Sequence, residues 1–145
     1  MNKILETLEA EREELADWRH DFHMHPELGL EETRTAGIVA QKLRSWGIEV
    51  TEHVGVTGVV GVINGDLGPG RSIGLRCDMD ALPITECSSQ SWKATVKGKC
   101  MPAVMTATRR CFWLPRVTFR SIGTFAAASY WCSSRPKKAR AAPWP

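Results

Sequence analysis

The sequence predicts an α/β domain with an incomplete sheet. Apolar residues recur at helical spacing over residues 3–22 and again over 31–46. From residue 48 onward the pattern shortens to strand-like runs separated by turn residues. Two helices followed by three short strands suit a layered α/β unit, but the strands are too few to finish its sheet. No internal repeat is present.

In the first helix Ile4, Leu5, Leu8, Leu15, Trp18 and Phe22 form the apolar set, and Glu6, Glu9, Glu11, Glu13 and Glu14 cover the remainder. His25-Pro26 ends it, because a residue before proline is pushed out of the α region. In the second helix Ala36, Val39, Ala40, Leu43 and Trp46 make the stripe, and Gly47 is a C-terminal stop. Residues 48–54 alternate in part, and residues 58–63 (GVVGVI) read as a buried strand. Residues 64–70 are rich in turn formers. Gly65, Gly68 and Gly70 there do not make a phosphate loop, because no helix opening on Lys-Ser/Thr follows. Residues 72–76 (SIGLR) form the last short strand and run into Cys77-Asp78-Met79-Asp80.

The 145 residues carry 19 Lys and Arg against 16 Asp and Glu, a net charge of +3. The distribution is uneven. All 16 acids and all four histidines precede residue 100, whereas residues 100–145 hold eight Lys and Arg with no Asp, Glu, Asn, Gln or His. A soluble domain usually mixes both signs over roughly a quarter of its residues. The chain therefore divides into a body, 1–99, and a tail, 100–145, of different origin, and the tail is expected to be unstructured. The net basicity is no mark of a nucleic-acid binder, since the body is acidic. The N-terminus lacks the basic start and apolar run of a signal peptide, and no apolar run is long enough to span a bilayer. A cytoplasmic protein is expected. Five cysteines, an odd number without a secretory signal, read as free thiols.

Two places can carry chemistry. His20, His23 and His25 cluster with Glu27 at the end of the first helix. An H-x-H pair can hold zinc from a strand, but at a helix end such residues are more often terminal groups beside a site. Asp78 and Asp80 follow a buried strand, and in α/β sheets ligands bind beyond the carboxyl ends of strands. Carboxylates placed there ligate a metal, orient a ligating His, or cap the following turn. Cys77, Cys87 and Cys100 have the spacing of no zinc ribbon.

Three stretches, taken in order, carry a resemblance: residues 21–32 (DFHMHPELGLEE), 58–61 (GVVG) and 75–84 (LRCDMDALPI). Together they resemble the metal-dependent amidohydrolases that include hippurate hydrolases, N-acyl-amino-acid deacylases and indoleacetyl-amino-acid hydrolases. The likeness runs from the N-terminal helix to Lys99. It implies the N-terminal part of a zinc-peptidase-like catalytic domain, which in the parent carries a smaller inserted domain. It further implies a divalent metal (Zn, Mn, Co or Ni), hydrolysis of the amide bond of an N-acyl amino acid substrate, and a homo-oligomeric parent. On transfer, the motif positions present are His23, His25, Glu27, Asp78 and Asp80. Asp78 falls where related peptidases carry the His of a His-x-Asp metal motif, so Asp80 is expected beside the metals rather than on them. The family continues after Gly-Lys with a segment like MHACGHDGHT, then one like FQPAEEG, which supply metal ligands and the general base. Neither follows here. No catalytic residue is retained, and this chain is expected to bind no metal.

The tail reads differently one base over. Starting at the third base of the Cys100 codon, the codons of residues 100–108 permit His-Ala-Cys-Gly-His-Asp-Gly-His. The same offset lets Trp131 to Ala139 encode Val-Phe-Gln-Pro-Ala-Glu-Glu-Gly. Loss of one A where a Lys codon meets ATG produces this break. Two family segments in the right order in one frame make the tail an out-of-frame continuation. The alternative is a true basic extension in which Arg109, Arg110, Arg116, Arg120, Arg135, Lys137, Lys138 and Arg140, with Trp113, Trp131 and Trp144, bind nucleic acid. The out-of-frame reading accounts for the composition as well, so nucleic acid is not the expected partner.

Overall fold

A computed structural model of the chain describes residue 6, residues 9–64 and 73–101, and the strand 128–132; at residue 73 and in that strand only the backbone is described. Helix α1 spans Arg12–Met24 and helix α2 Thr33–Ser45. Strands β1 (Glu49–Val54), β2 (Gly58–Ile63) and β3 (Ile73–Cys77) follow, and β4 is Ala128–Cys132. The two helices and first three strands fall within a residue or two of the positions expected from periodicity, apart from the start of α1. Ile4, Leu5 and Leu8, expected on its first turns, lie outside the described residues, as does the turn region 65–70.

Each helix ends as the chain chemistry requires. The His25 N–H still reaches the Asp21 carbonyl at 3.2 Å, and Pro26 allows no further turn. At the end of α2, Gly47 adopts φ 72°, a conformation a Cβ would disfavour. Its N–H bonds to the Arg44 carbonyl at 2.9 Å, and the Ile48 N–H bonds to that of Leu43 at 3.1 Å. This pair of bonds is a Schellman motif, and it turns the chain directly into β1.

The core joins both helices to the sheet. Leu15 and Phe22 from α1, Ala36, Val39, Ala40 and Leu43 from α2, Val59 from β2, and Cys77 and Met79 at the end of β3 form one buried cluster. Trp18 and Trp46 pack against it with ring centroids 5.9 Å apart. Gly61 marks the closest approach of sheet and helix. A Cβ there would lie 3.2 Å from Ile48 Cγ2 and 3.3 Å from Leu43 Cδ1. In an unhindered strand Gly→Val is stabilising. Here Gly61→Val is expected to destabilise by about 2 kcal/mol through overpacking. A urea midpoint that stays put or rises would remove that account.

The sheet has four strands in the order β1-β2-β4-β3. β1 and β2 form a hairpin with an irregularity between Thr51 and Val54, and its turn places His53, Gly55 and Val56 at positive φ. β4 pairs antiparallel with β2 and parallel with β3. The sequence reading left the whole tail unstructured. Residues 128–132 depart from it, occupying the centre of the sheet, while the rest of residues 102–145 lie outside the described set. The segment ASYWC is uncharged and contains two aromatics, a composition suited to a covered strand. Ladder bonds come from the backbone and so tolerate a changed side-chain register.

Beyond β3 the chain folds back over the end of α1. The Ala81 N–H bonds to the Glu27 carbonyl at 2.7 Å, and Leu82 and Cys100 exchange backbone hydrogen bonds at 2.9 and 3.0 Å. The Thr95 N–H and hydroxyl both donate to the Met24 carbonyl, at 2.9 and 2.6 Å. A helix-end carbonyl is thereby satisfied, and residues 85–100 are held against α1. No helix among the described residues is long and apolar enough to cross a membrane.

Candidate metal centre

The five candidate side chains separate into different roles. Glu27 accepts from the Arg34 N–H at 2.9 Å and the Thr35 N–H at 2.7 Å, so it caps the start of α2 from outside the helix. These are two of the N–H groups that a helix leaves without partners, and a carboxylate also suits the positive end of the dipole. His25 Nδ1 lies 2.9 Å from the Asp21 carbonyl and 3.4 Å from an Asp21 carboxylate oxygen. Asp21 is itself bridged by Arg34 at 2.8 and 3.0 Å. Asp78 accepts from Arg76 Nε at 3.1 Å and Nη2 at 2.8 Å. Among the described residues, none of these three belongs to a converging set of metal donors.

Asp80 is buried next to a second acid. Glu32 is fully buried and accepts from the Thr57 hydroxyl at 2.6 Å, while its Oε1 has no hydrogen-bond partner. Burial raises the Glu32 carboxyl most, and the negative charge of Asp80 adds to the rise; hydrogen bonds from Thr57 and nearby backbone oppose it. An acid raised in the folded state destabilises the fold once the pH is high enough to ionise it, and this penalty disappears when the carboxyl is protonated. Glu32→Gln keeps an acceptor for Thr57 and removes the charge. It is expected to raise the melting temperature at pH 7, with the advantage vanishing near pH 4, just below the ordinary glutamate value of about 4.3. Thermal melts at the two pH values check it, and a pH-independent difference would contradict it.

His23 is the candidate that finds other donors. Its ring is buried at the end of α1, with Nε2 3.0 Å from Glu86 Oε1. Trp92 packs edge-on against it, 5.1 Å between ring centres. Its Nδ1 is buried with no partner. Cys100, also buried, completes a group in which the donor atoms of His23, Glu86 and Cys100 all lie within 4.8 Å of one another. Glu86 is fixed by the Ser88 hydroxyl and by the Ala94 N–H at 2.7 Å. Burial pushes its carboxyl up. The hydrogen bonds from Ser88, Ala94 and His23, with the charge of His23, outweigh that and hold it at about 2. The Cys100 thiol is pushed up, first by burial and then by the Glu86 charge.

Sequence spacing could not assemble this group. His23 and Glu86 are 63 residues apart, and Cys100 comes from the first position of the tail. Glu86 sits in an irregular stretch without periodicity, and nothing in its neighbours marks it. Of the other described cysteines, Cys87 is exposed, and neither it nor Cys77 belongs to the donor group.

The donor set decides what can be held. Among the described residues this is the one group of three or more converging donors. A dinuclear centre needs more ligands than one His, one Glu and one Cys supply, so a two-metal site does not fit. One thiolate, one imidazole and one carboxylate do suit a single ion of the zinc type.

No family model matches the chain. It is 48% identical over 97 residues to the hippurate hydrolase of Campylobacter jejuni, covering 65% of this chain and 24% of that protein. It is 45% identical over 100 residues to thermostable carboxypeptidase 2 of Saccharolobus solfataricus, covering 66% of this chain and 25% of that one. The fold is similar to that of a dinuclear metal-binding peptidase of the M20 family from Bacillus subtilis, with TM-score 0.73 and 26% identity. That likeness covers 86% of this chain and 35% of the peptidase. The chain spans about a quarter of the length of the curated relatives it matches. Motifs, relatives and fold agree: over about two thirds of its length the chain is similar to the metal-dependent amidohydrolases.

Proposed function

We propose that the chain is the front of a cytoplasmic amidohydrolase acting on N-acyl amino acids of the hippurate type, broken by a one-base loss at the Lys99 codon and inactive as it stands. Residues 1–99 are the truncated catalytic domain, and residues 100–145 are translated out of frame. The observation that carries this reading is the content of the tail. Read one base over, its codons permit both segments that the family places after Gly-Lys, in order. The extent of the sequence likeness supports it, since 97 matched residues are close to the length of the body.

In such hydrolases a bound divalent metal lowers the pKa of a water molecule, and a carboxylate removes its proton. The segments that supply those groups are present here only in the other frame. What the body retains is scaffolding: Glu27 caps α2, and Asp78 is committed to Arg76. The purified 145-residue chain is therefore expected to release no benzoate from hippurate, with or without added zinc, manganese, cobalt or nickel. Turnover above the uncatalysed background would overturn the inactivity. Resequencing the gene across the Lys99 codon separates a true lesion from a reading error; an extra A there makes the natural product a full-length hydrolase.

A further inference from the structure

We infer that His23, Glu86 and Cys100 form a mononuclear zinc site. The inference does not depend on the hydrolase reading. Two observations carry it: the donor atoms converge within 4.8 Å, and hydrogen bonds from neighbouring residues hold the three residues in place. His23 stands in the last turn of α1. Glu86 is tied by Ser88 and Ala94. Cys100 exchanges two backbone hydrogen bonds with Leu82. A site held this way loses little further freedom when an ion enters.

The chemistry of the donors selects the ion. Zinc takes nitrogen at about 2.0–2.1 Å and thiolate sulfur at about 2.3 Å in a tetrahedron, so its ligands stand roughly 3.5 Å apart. His23 Nε2 and Glu86 Oε1 are already 3.0 Å apart, and no two donor atoms of the group are more than 4.8 Å apart. Magnesium and calcium prefer all-oxygen shells and are disfavoured by the thiolate. On binding, the Cys100 thiol gives its proton to solvent and the sulfur bonds the metal, with no change of oxidation state. Three protein ligands leave the fourth position to water. A cavity of about 170 Å³, lined by residues 85–86 and 93–99, includes Glu86 in its wall.

The test is a cobalt titration of the full 145-residue chain under reducing conditions, followed by absorption. One cobalt per chain is expected, with a thiolate-to-metal charge-transfer band and the visible bands of a tetrahedral ion, both displaced by zinc. Cys100→Ser should abolish the charge-transfer band, whereas Cys87→Ser should leave it intact. Glu86→Gln keeps the thiol and should weaken cobalt binding at least tenfold, with the far-UV spectrum reporting that the fold survives. Absence of the band, its survival in Cys100→Ser, an unchanged affinity in Glu86→Gln, or an equal band in urea-unfolded chain would each overturn the site. The readout is spectroscopic, so a result on hippurate cleavage leaves it untouched.

Discussion

Insertion of one adenine between the Lys99 and Cys100 codons is expected to convert an inactive polypeptide into one that hydrolyses hippurate when supplied with a divalent metal. The change alters no residue of the body. On the out-of-frame reading, it would replace tail residues with a His-Ala-Cys-Gly-His-Asp-Gly-His segment and, near residue 131, Val-Phe-Gln-Pro-Ala-Glu-Glu-Gly, both of which the codons permit. Donors and a general base of the family's type then become available together. Enzymes accelerate reactions by about 10⁶-fold or more, so the contrast with the unrepaired chain is a difference between measurable turnover and none. Benzoate release by the two purified proteins, assayed side by side, decides the matter. A repaired chain that folds and binds metal yet cleaves no N-acyl amino acid would remove the hydrolase reading. If the repaired and unrepaired chains are equally active, the lesion is irrelevant to function.

The body was largely legible in its sequence because its signals are local. In the α2 stripe Ala36, Val39, Ala40 and Leu43 are buried and Trp46 is half-buried against them, and Gly47 stops the helix with the Schellman bonds its position suggested. The runs 48–54, 58–63 and 72–76 appear as β1, β2 and β3. Two things were not legible, for one physical reason. The placement of β4 between β2 and β3 is a pairing across more than 50 residues, invisible to periodicity. The His23–Glu86–Cys100 group is likewise made by the fold-back at Ala81 and Leu82 rather than by spacing. The motif residues that looked most chemical proved partly structural. Glu27 satisfies two helix N–H groups, which a pattern of His and Glu residues cannot distinguish from a ligand set.

Truncation after residue 127 is expected to abolish cooperative unfolding of the remaining chain. β4 is the sole strand hydrogen-bonded to β3 among the described residues, and it also covers the free edge of β2. It pairs through five residues with β2 and five with β3. Each ladder bond contributes about 0.5–1.5 kcal/mol net, so losing both ladders removes several kcal/mol. A domain of this size has roughly 5–15 kcal/mol in all. The loss would not stay at the edge. Cys77 and Met79, at the end of β3, are part of the core that holds Leu15, Phe22 and Leu43, and with β3 unpaired their burial has no anchor. The ladder uses only backbone groups, so a wide range of side chains is compatible with this place in the sheet. Urea unfolding of the 1–127 and 1–145 chains, with amide exchange in β2 as a local probe, tests this directly. Coincident midpoints and equal protection of Val59 to Ile63 would show that the body folds without β4 and that the tail adds nothing to it.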